Sequence, residues 1–126
     1  MTHQQNAPVF LNLFRIRMPA GAVASIAHRI SGVLLFLSLP LLAWLLDLSL
    51  QGGEGYERAI ALLQSTGVRL ASVLLVWSLL HHLVAGIRFL LIDVHLGVSM
   101  PAARLSAWFA NLAAALMALL YAWWVL

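Results

Sequence analysis

Three long apolar runs, separated by short polar stretches, constrain this chain more than any other feature of its sequence. A helix rises about 1.5 Å per residue and the hydrocarbon of a bilayer is about 30 Å thick, so a span needs about 20 apolar residues. The runs at about 25–50, 68–93 and 102–126 each reach that length. Lipid offers no partner to a backbone N–H or C=O, so each run is expected to be a helix that satisfies its own hydrogen bonds. The expected architecture is an all-α membrane protein. A cytoplasmic N-terminal segment, residues 1–24, precedes a three-helix transmembrane domain, residues 25–126. Composition agrees, because 63% of the 126 residues are hydrophobic and 9% are charged, which is too little polar surface to coat a globule in water.

The absence of cysteine excludes disulfides, thiol catalysis and any iron–sulfur cluster held by this chain alone. All seven basic side chains are arginine, and they are scattered, so no nucleic-acid surface is expected. The residues before the first apolar run include Pro8 and Pro19 and are not Arg/Ser-rich at their start. Neither a cleavable signal nor a transit peptide is expected from that pattern, and a bacterial inner membrane is the simplest setting.

Local signals refine the layout. Pro40 lies inside the first run, where a membrane bundle tolerates it. Pro101 suits the first turn of the third span. Between the first two runs, Gly52, Gly53 and Gly55 precede Tyr56 to Leu63, a candidate short surface helix. The connection from Val94 to Met100 is brief, so the second and third spans should be antiparallel neighbours. Arg15, Arg17 and Arg29 precede or open the first span and Arg88 and Arg104 flank the second connection, against Arg58 and Arg69 at the first. Arginine bias therefore places the N-terminus in the cytoplasm and the C-terminus in the periplasm, with Tyr121, Trp123 and Trp124 in the outer aromatic belt.

Polar groups inside a span are expensive and mark function by default. Ser25 and Arg29, four apart, share one helical face at the mouth of the first span, with His28 beside them. They are suited to hold a carbonyl or carboxylate, or else to cap the helix and snorkel to headgroups. His81 and His82 lie inside the second span. His82 is eleven residues before Asp93, about 16 Å deep at about 1.5 Å per residue. A neutral imidazole there either ligates iron or bonds to a neighbouring helix. Gly86, one turn away, would let a flat macrocycle approach the backbone. Arg88 and Asp93 are candidates for pairing with another helix, a propionate or water. Ser38, Ser72 and Ser78 are expected to bond to their own helices, Asn111 to bond across the bundle, and Ala110, Ala113, Ala114, Ala115 and Ala118 to provide a small face for packing.

Two separated signatures resemble one known family. PVFLNLFRIRMPAGAVASIAHRISG, with S-I-x-H-R-x-[ST]-G opening the first span, and HLVAGIRFLLID in the second are similar to the cytochrome b membrane-anchor subunit of succinate dehydrogenase, respiratory complex II. GGEGYERA resembles that family's first periplasmic loop, and the likeness covers nearly the whole chain.

The resemblance implies that the three helices form half of an anchor bundle binding haem b. His82 would be this chain's axial ligand, and a second membrane-anchor subunit would supply the other histidine. Ser25 and Arg29 would form the ubiquinone site, and His28 and Arg29 would lie near the haem propionates. His81, Arg88 and Asp93 are lesser candidates. Phe89 stands where related chains often carry histidine, which removes a polar group near the haem edge. Flavoprotein and iron–sulfur subunits would dock on the cytoplasmic face and pass electrons from succinate to ubiquinone. A fumarate reductase anchor, or a haem-free or non-redox membrane anchor, is the alternative these residues leave open.

Overall fold

The computed structural model describes residues 18–126. Arg15, Arg17, Pro8 and the start of the first signature lie outside the described residues. Four helices follow in order: α1 Ala20–Ser49, α2 Gly53–Gln64, α3 Thr66–Asp93 and α4 Met100–Val125. Among the described residues there is no strand. α1, α3 and α4, of 30, 28 and 26 residues, are each long and apolar enough to cross a bilayer. The chain is an all-helical membrane protein with three spans.

The helix boundaries differ from the sequence expectation by a few residues. α1 begins at Ala20, five residues before the expected Ser25, directly after an extended Pro19. Its first turns, Ala20 and Ala24, are buried against Ala107 of α4. The residues gained, AGAVA, are small and apolar, and this packing places them within the helix. α4 opens at Met100 with Pro101 in its first turn, where the missing N–H is no loss. The expected short helix of Tyr56 to Leu63 is α2, which starts three residues earlier. α1 continues through Pro40 to Ser49.

α3 is the central element, packed most extensively on α4 and α1, while α2 rests across α1 and α3 at one end of the bundle. The buried residues are nearly all small: Ala85 of α3 and Ala107, Ala110, Ala114 and Ala118 of α4 are at most 6% exposed. Residues three and four apart share one helical face, so these alanines form a strip that lets the backbones close. Large side chains such as Phe36, Leu41, Leu105 and Leu119 point outward. Lipid solvates such groups as well as a core does, so close packing and polar contacts, rather than apolar burial, hold the helices together.

The remaining polar groups are tied internally. Ser38, Ser72 and Ser78 donate to the carbonyls of Leu35, Arg69 and Leu74, as expected. Arg69, read from sequence as a loop-end charge, instead lies with Nη1 3.4 Å from the Val125 carbonyl, and Ser72 lies 3.1 Å from the Tyr121 hydroxyl. Together they fasten the start of α3 to the end of α4.

α2 is seated through Gly55. A Cβ at that position would collide with the Leu48 carbonyl oxygen and approach Gln51 Cβ to 2.9 Å. Alanine gains up to about 1 kcal/mol of helix propensity over glycine, but overpacking costs about 1–3 kcal/mol, and the obstacle here is backbone. Gly55→Ala is therefore expected to lower the thermal midpoint in detergent. Gly67→Ala, which meets nothing within 4 Å, should hold or raise it.

α3 ends in a Schellman motif. Leu96 N–H reaches back to the Leu91 carbonyl at 2.8 Å, and His95 N–H to that of Ile92 at 2.9 Å. The motif needs a left-handed residue, ordinarily glycine, yet His95 occupies it with φ 63. The left-handed region costs a side-chain-bearing residue about 1–2 kcal/mol. Glycine's greater backbone entropy returns part of that, so His95→Gly should stabilise by about 0.5–1 kcal/mol, read as a raised melting midpoint.

Candidate functional site

Where α1 crosses α3, the polar residues of both helices meet. His28 and His82 stack face to face, with ring centroids 4.1 Å apart and planes 8° from parallel. His82 Nδ1 lies 3.1 Å from the His28 carbonyl oxygen and 3.2 Å from Ser31 Oγ. Ser31 Oγ also donates to that carbonyl at 2.8 Å. A carbonyl only accepts, so the His82 proton sits on Nδ1 and the lone pair on Nε2. Nε2 makes no hydrogen bond among the described residues. The stacked His28 ring covers the imidazole face, whereas the Nε2 lone pair lies in the ring plane.

Two glycines make this crossing close enough. A Cβ at Gly32 would lie 3.0 Å from His82 Cε1, and one at Gly86 would lie 3.4 Å from His28 Nε2. Gly86 thus lies close against the Nε2 edge of His28. Phe89 meets that same ring edge-on, at 5.3 Å and 70°, so the apolar replacement in the second signature packs His28 in place.

His81 occupies the other side of α3. It is 1% exposed, and its Nε2 lies 3.0 Å from Asn111 Oδ1 on α4. Its Nδ1 is buried without a partner among the described residues. The adjacent histidines, about 100° apart around the helix, thus divide between two neighbours: His82 to α1 and His81 to α4. Arg88 also serves α4, donating from Nε to Ser106 Oγ at 3.0 Å and from Nη2 to the Ala103 carbonyl at 3.1 Å.

Ser25 is half-buried and Arg29 exposed, one turn apart on α1. Among the described residues Arg29 has no ion pair, and the His28–His82 stack does not include it. Asp93 is exposed at the end of α3 and pairs with no arginine among the described residues. A cleft of about 860 Å³ opens between the starts of α1 and α4 and the end of α3, lined by Arg88, Arg104 and Trp108 among others. Ser25 and Arg29 are not in its lining.

Sequence reasoning gave Ser31 and Gly32 no role beyond their places in the S-I-x-H-R-x-[ST]-G signature, and overlooked Ser106. Ser31 carried a usable signal, standing three residues after His28 in the polar stretch SIAHRIS. Ser106 carried none, since its partner is eighteen residues away in sequence.

The donor set suits a porphyrin better than a bare metal. Among the described residues no group of three or more histidine, cysteine, aspartate or glutamate side chains is placed to hold an ion. A single imidazole with its tautomer fixed from behind is what an axial haem ligand requires, the second ligand coming from a facing element.

These features define a three-span helical membrane-anchor protein that presents one oriented histidine from its central helix. The family described as succinate dehydrogenase/fumarate reductase transmembrane subunit matches residues 3–122, and the chain belongs to it, as a cytochrome b anchor of the succinate dehydrogenase type. A succinate dehydrogenase cytochrome b556 subunit from Coxiella burnetii (strain RSA 493 / Nine Mile phase I) is 39% identical over 102 residues, 80% of this chain and 82% of that one. Its counterpart from Rickettsia felis (strain ATCC VR-1525 / URRWXCal2) is 29% identical over 98 residues, 78% and 74% of the two chains.

Proposed function

We propose that this chain is the membrane-anchor cytochrome b subunit of a bacterial succinate:quinone oxidoreductase, with His82 as its axial ligand to haem b and Ser25 and Arg29 as its contribution to the ubiquinone site. The observation that carries the reading is the state of His82: Nδ1–H is committed to the His28 carbonyl, and Nε2 is left without a hydrogen bond among the described residues. The b556 names of two similar proteins support the cofactor and the direction of the reaction.

In this reading succinate never meets the chain. Its oxidation releases two electrons and two protons at a flavoprotein subunit, and an iron–sulfur subunit relays the electrons to the membrane. Ubiquinone takes up two electrons and two protons to become quinol. Ser25 donates a hydrogen bond to one quinone oxygen, and Arg29 stabilises the negative charge that develops there, offering a permanently charged fork of donors. Haem, when bound, supplies a one-electron store close to this path. His82 would hold it from this chain, with a histidine of a second anchor subunit completing the site. Ser31 and the His28 carbonyl keep the ligand in its iron-binding tautomer. His28 and Arg29 would bind its propionates. The N-terminus lies in the cytoplasm and the C-terminus in the periplasm of the inner membrane.

The test is purification of the assembled complex, mass identification of its subunits, and a reduced-minus-oxidised absorption spectrum. A b-type signal with flavoprotein, iron–sulfur and second anchor chains is expected. An intact complex without that signal would overturn the haem assignment.

A further inference from the structure

His81 is a costly residue to keep where it stands. It is 1% exposed, and its Nδ1 is buried with no partner among the described residues, so the full desolvation of that atom is uncompensated. An apolar side chain of similar shape would avoid this. What the histidine adds is one directional bond, from Nε2 to Asn111 Oδ1 at 3.0 Å.

That bond acts at the level of His82, whereas the other polar ties of α3 to α4 lie nearer its ends, at Arg69 and Ser72 near the start and at Arg88 two turns further on. The outward face of the helix is apolar, with Leu79, Leu83, Ile87 and Leu90 exposed along it. In lipid such a helix has no apolar face that must turn inward. On the α4 side it meets the smooth strip of Ala107, Ala110, Ala114 and Ala118, which permits rotation as readily as approach. Arg88 reaches α4 two turns further along, but on a long stem that can follow a turning helix. The His81 ring is short, and Trp77 packs beside it at 5.4 Å. Its neighbour in the chain is His82, bonded to α1. The adjacent rings therefore hold α3 from two sides at one level.

We propose that His81 is a positioning residue: its hydrogen bond to Asn111 fixes the rotation of α3 and so sets the plane in which His82 presents its imidazole to haem iron. The proposal rests on the reading of His82 as a haem ligand. Axial imidazole orientation controls the g-tensor of low-spin ferric haem and contributes to its potential, so the role has a signature separate from folding.

The experiment compares His81→Leu, Asn111→Leu, the double variant and His81→Gln in the assembled complex, by electron paramagnetic resonance of the oxidised haem and by redox titration. Each Leu variant is expected to retain haem roughly 10-fold less tightly, the scale of losing an outer-shell partner. The haem that remains should show a shifted largest g-value and a shifted midpoint. The double variant should match the singles, since one bond is lost in each. His81→Gln, which restores an N–H near the position of Nε2, should return the wild-type g-value. An unshifted g-value and midpoint in both Leu variants would overturn the proposal, as would additive shifts in the double. Loss of assembly in both, with no altered haem signal, would assign the pair to folding alone and overturn it equally. A wild-type complex lacking haem would instead defeat the His82 assignment, so the two failures are distinguishable.

Discussion

Replacing His82 with alanine is expected to remove haem from the complex by more than the roughly 10–100-fold that follows loss of an outer-shell partner. The substitution deletes the proposed ligand atom together with the ring on which His28 stacks at 4.1 Å. On the proposed function haem would bridge two subunits and stabilise only the assembled form, so less intact complex should also be recovered. The haem content of the purified complex, measured against its protein, is the deciding quantity. Ser31→Ala is the informative contrast. It removes one of the two oxygens near Nδ1 but leaves the His28 carbonyl at 3.1 Å to fix the tautomer, so haem content should stay close to wild type. Full haem occupancy in the His82→Ala complex would overturn the ligand assignment.

Arg29→Ala should reduce quinone reduction roughly 100-fold, the usual consequence of deleting one donor aimed at developing negative charge. Succinate oxidation with a soluble artificial acceptor should be unaffected, because the proposed function assigns that chemistry to other subunits. Arg29 is exposed and one turn from Ser25, outside the His28–His82 stack; its removal therefore leaves the helix crossing intact. Arg29→Lys keeps the charge but not the planar fork and should recover only part of the rate. Ser25→Ala removes a neutral hydrogen bond worth about 1 kcal/mol, a factor of roughly five. Equal loss of both activities in Arg29→Ala would mean failed assembly, and an unchanged quinone rate would remove Arg29 from the site.

The same residues show how far a linear reading reaches. The SIAHRISG and HLVAGIR stretches are polar interruptions of apolar runs, and that contrast alone marked His28, Arg29 and His82. It did not separate His81 from His82, because adjacent residues share the same depth and the same chemistry. Their difference lies in which neighbour each ring meets, Asn111 of α4 or the His28–Ser31 turn of α1.

Span number, helix class and the depth of each histidine follow from local quantities: an apolar run either reaches across about 30 Å of hydrocarbon or it does not, and its backbone has nowhere else to bond. The assignment of Arg88 to Ser106, the seat of Gly55 under the Leu48 carbonyl, and the start of α1 at Ala20 rest on contacts between distant segments. In lipid these contacts leave little trace in hydropathy, because an outward leucine and an inward one are nearly equivalent. The rotation of each helix, and with it the atom that each histidine leaves free, is settled only when the three spans pack together.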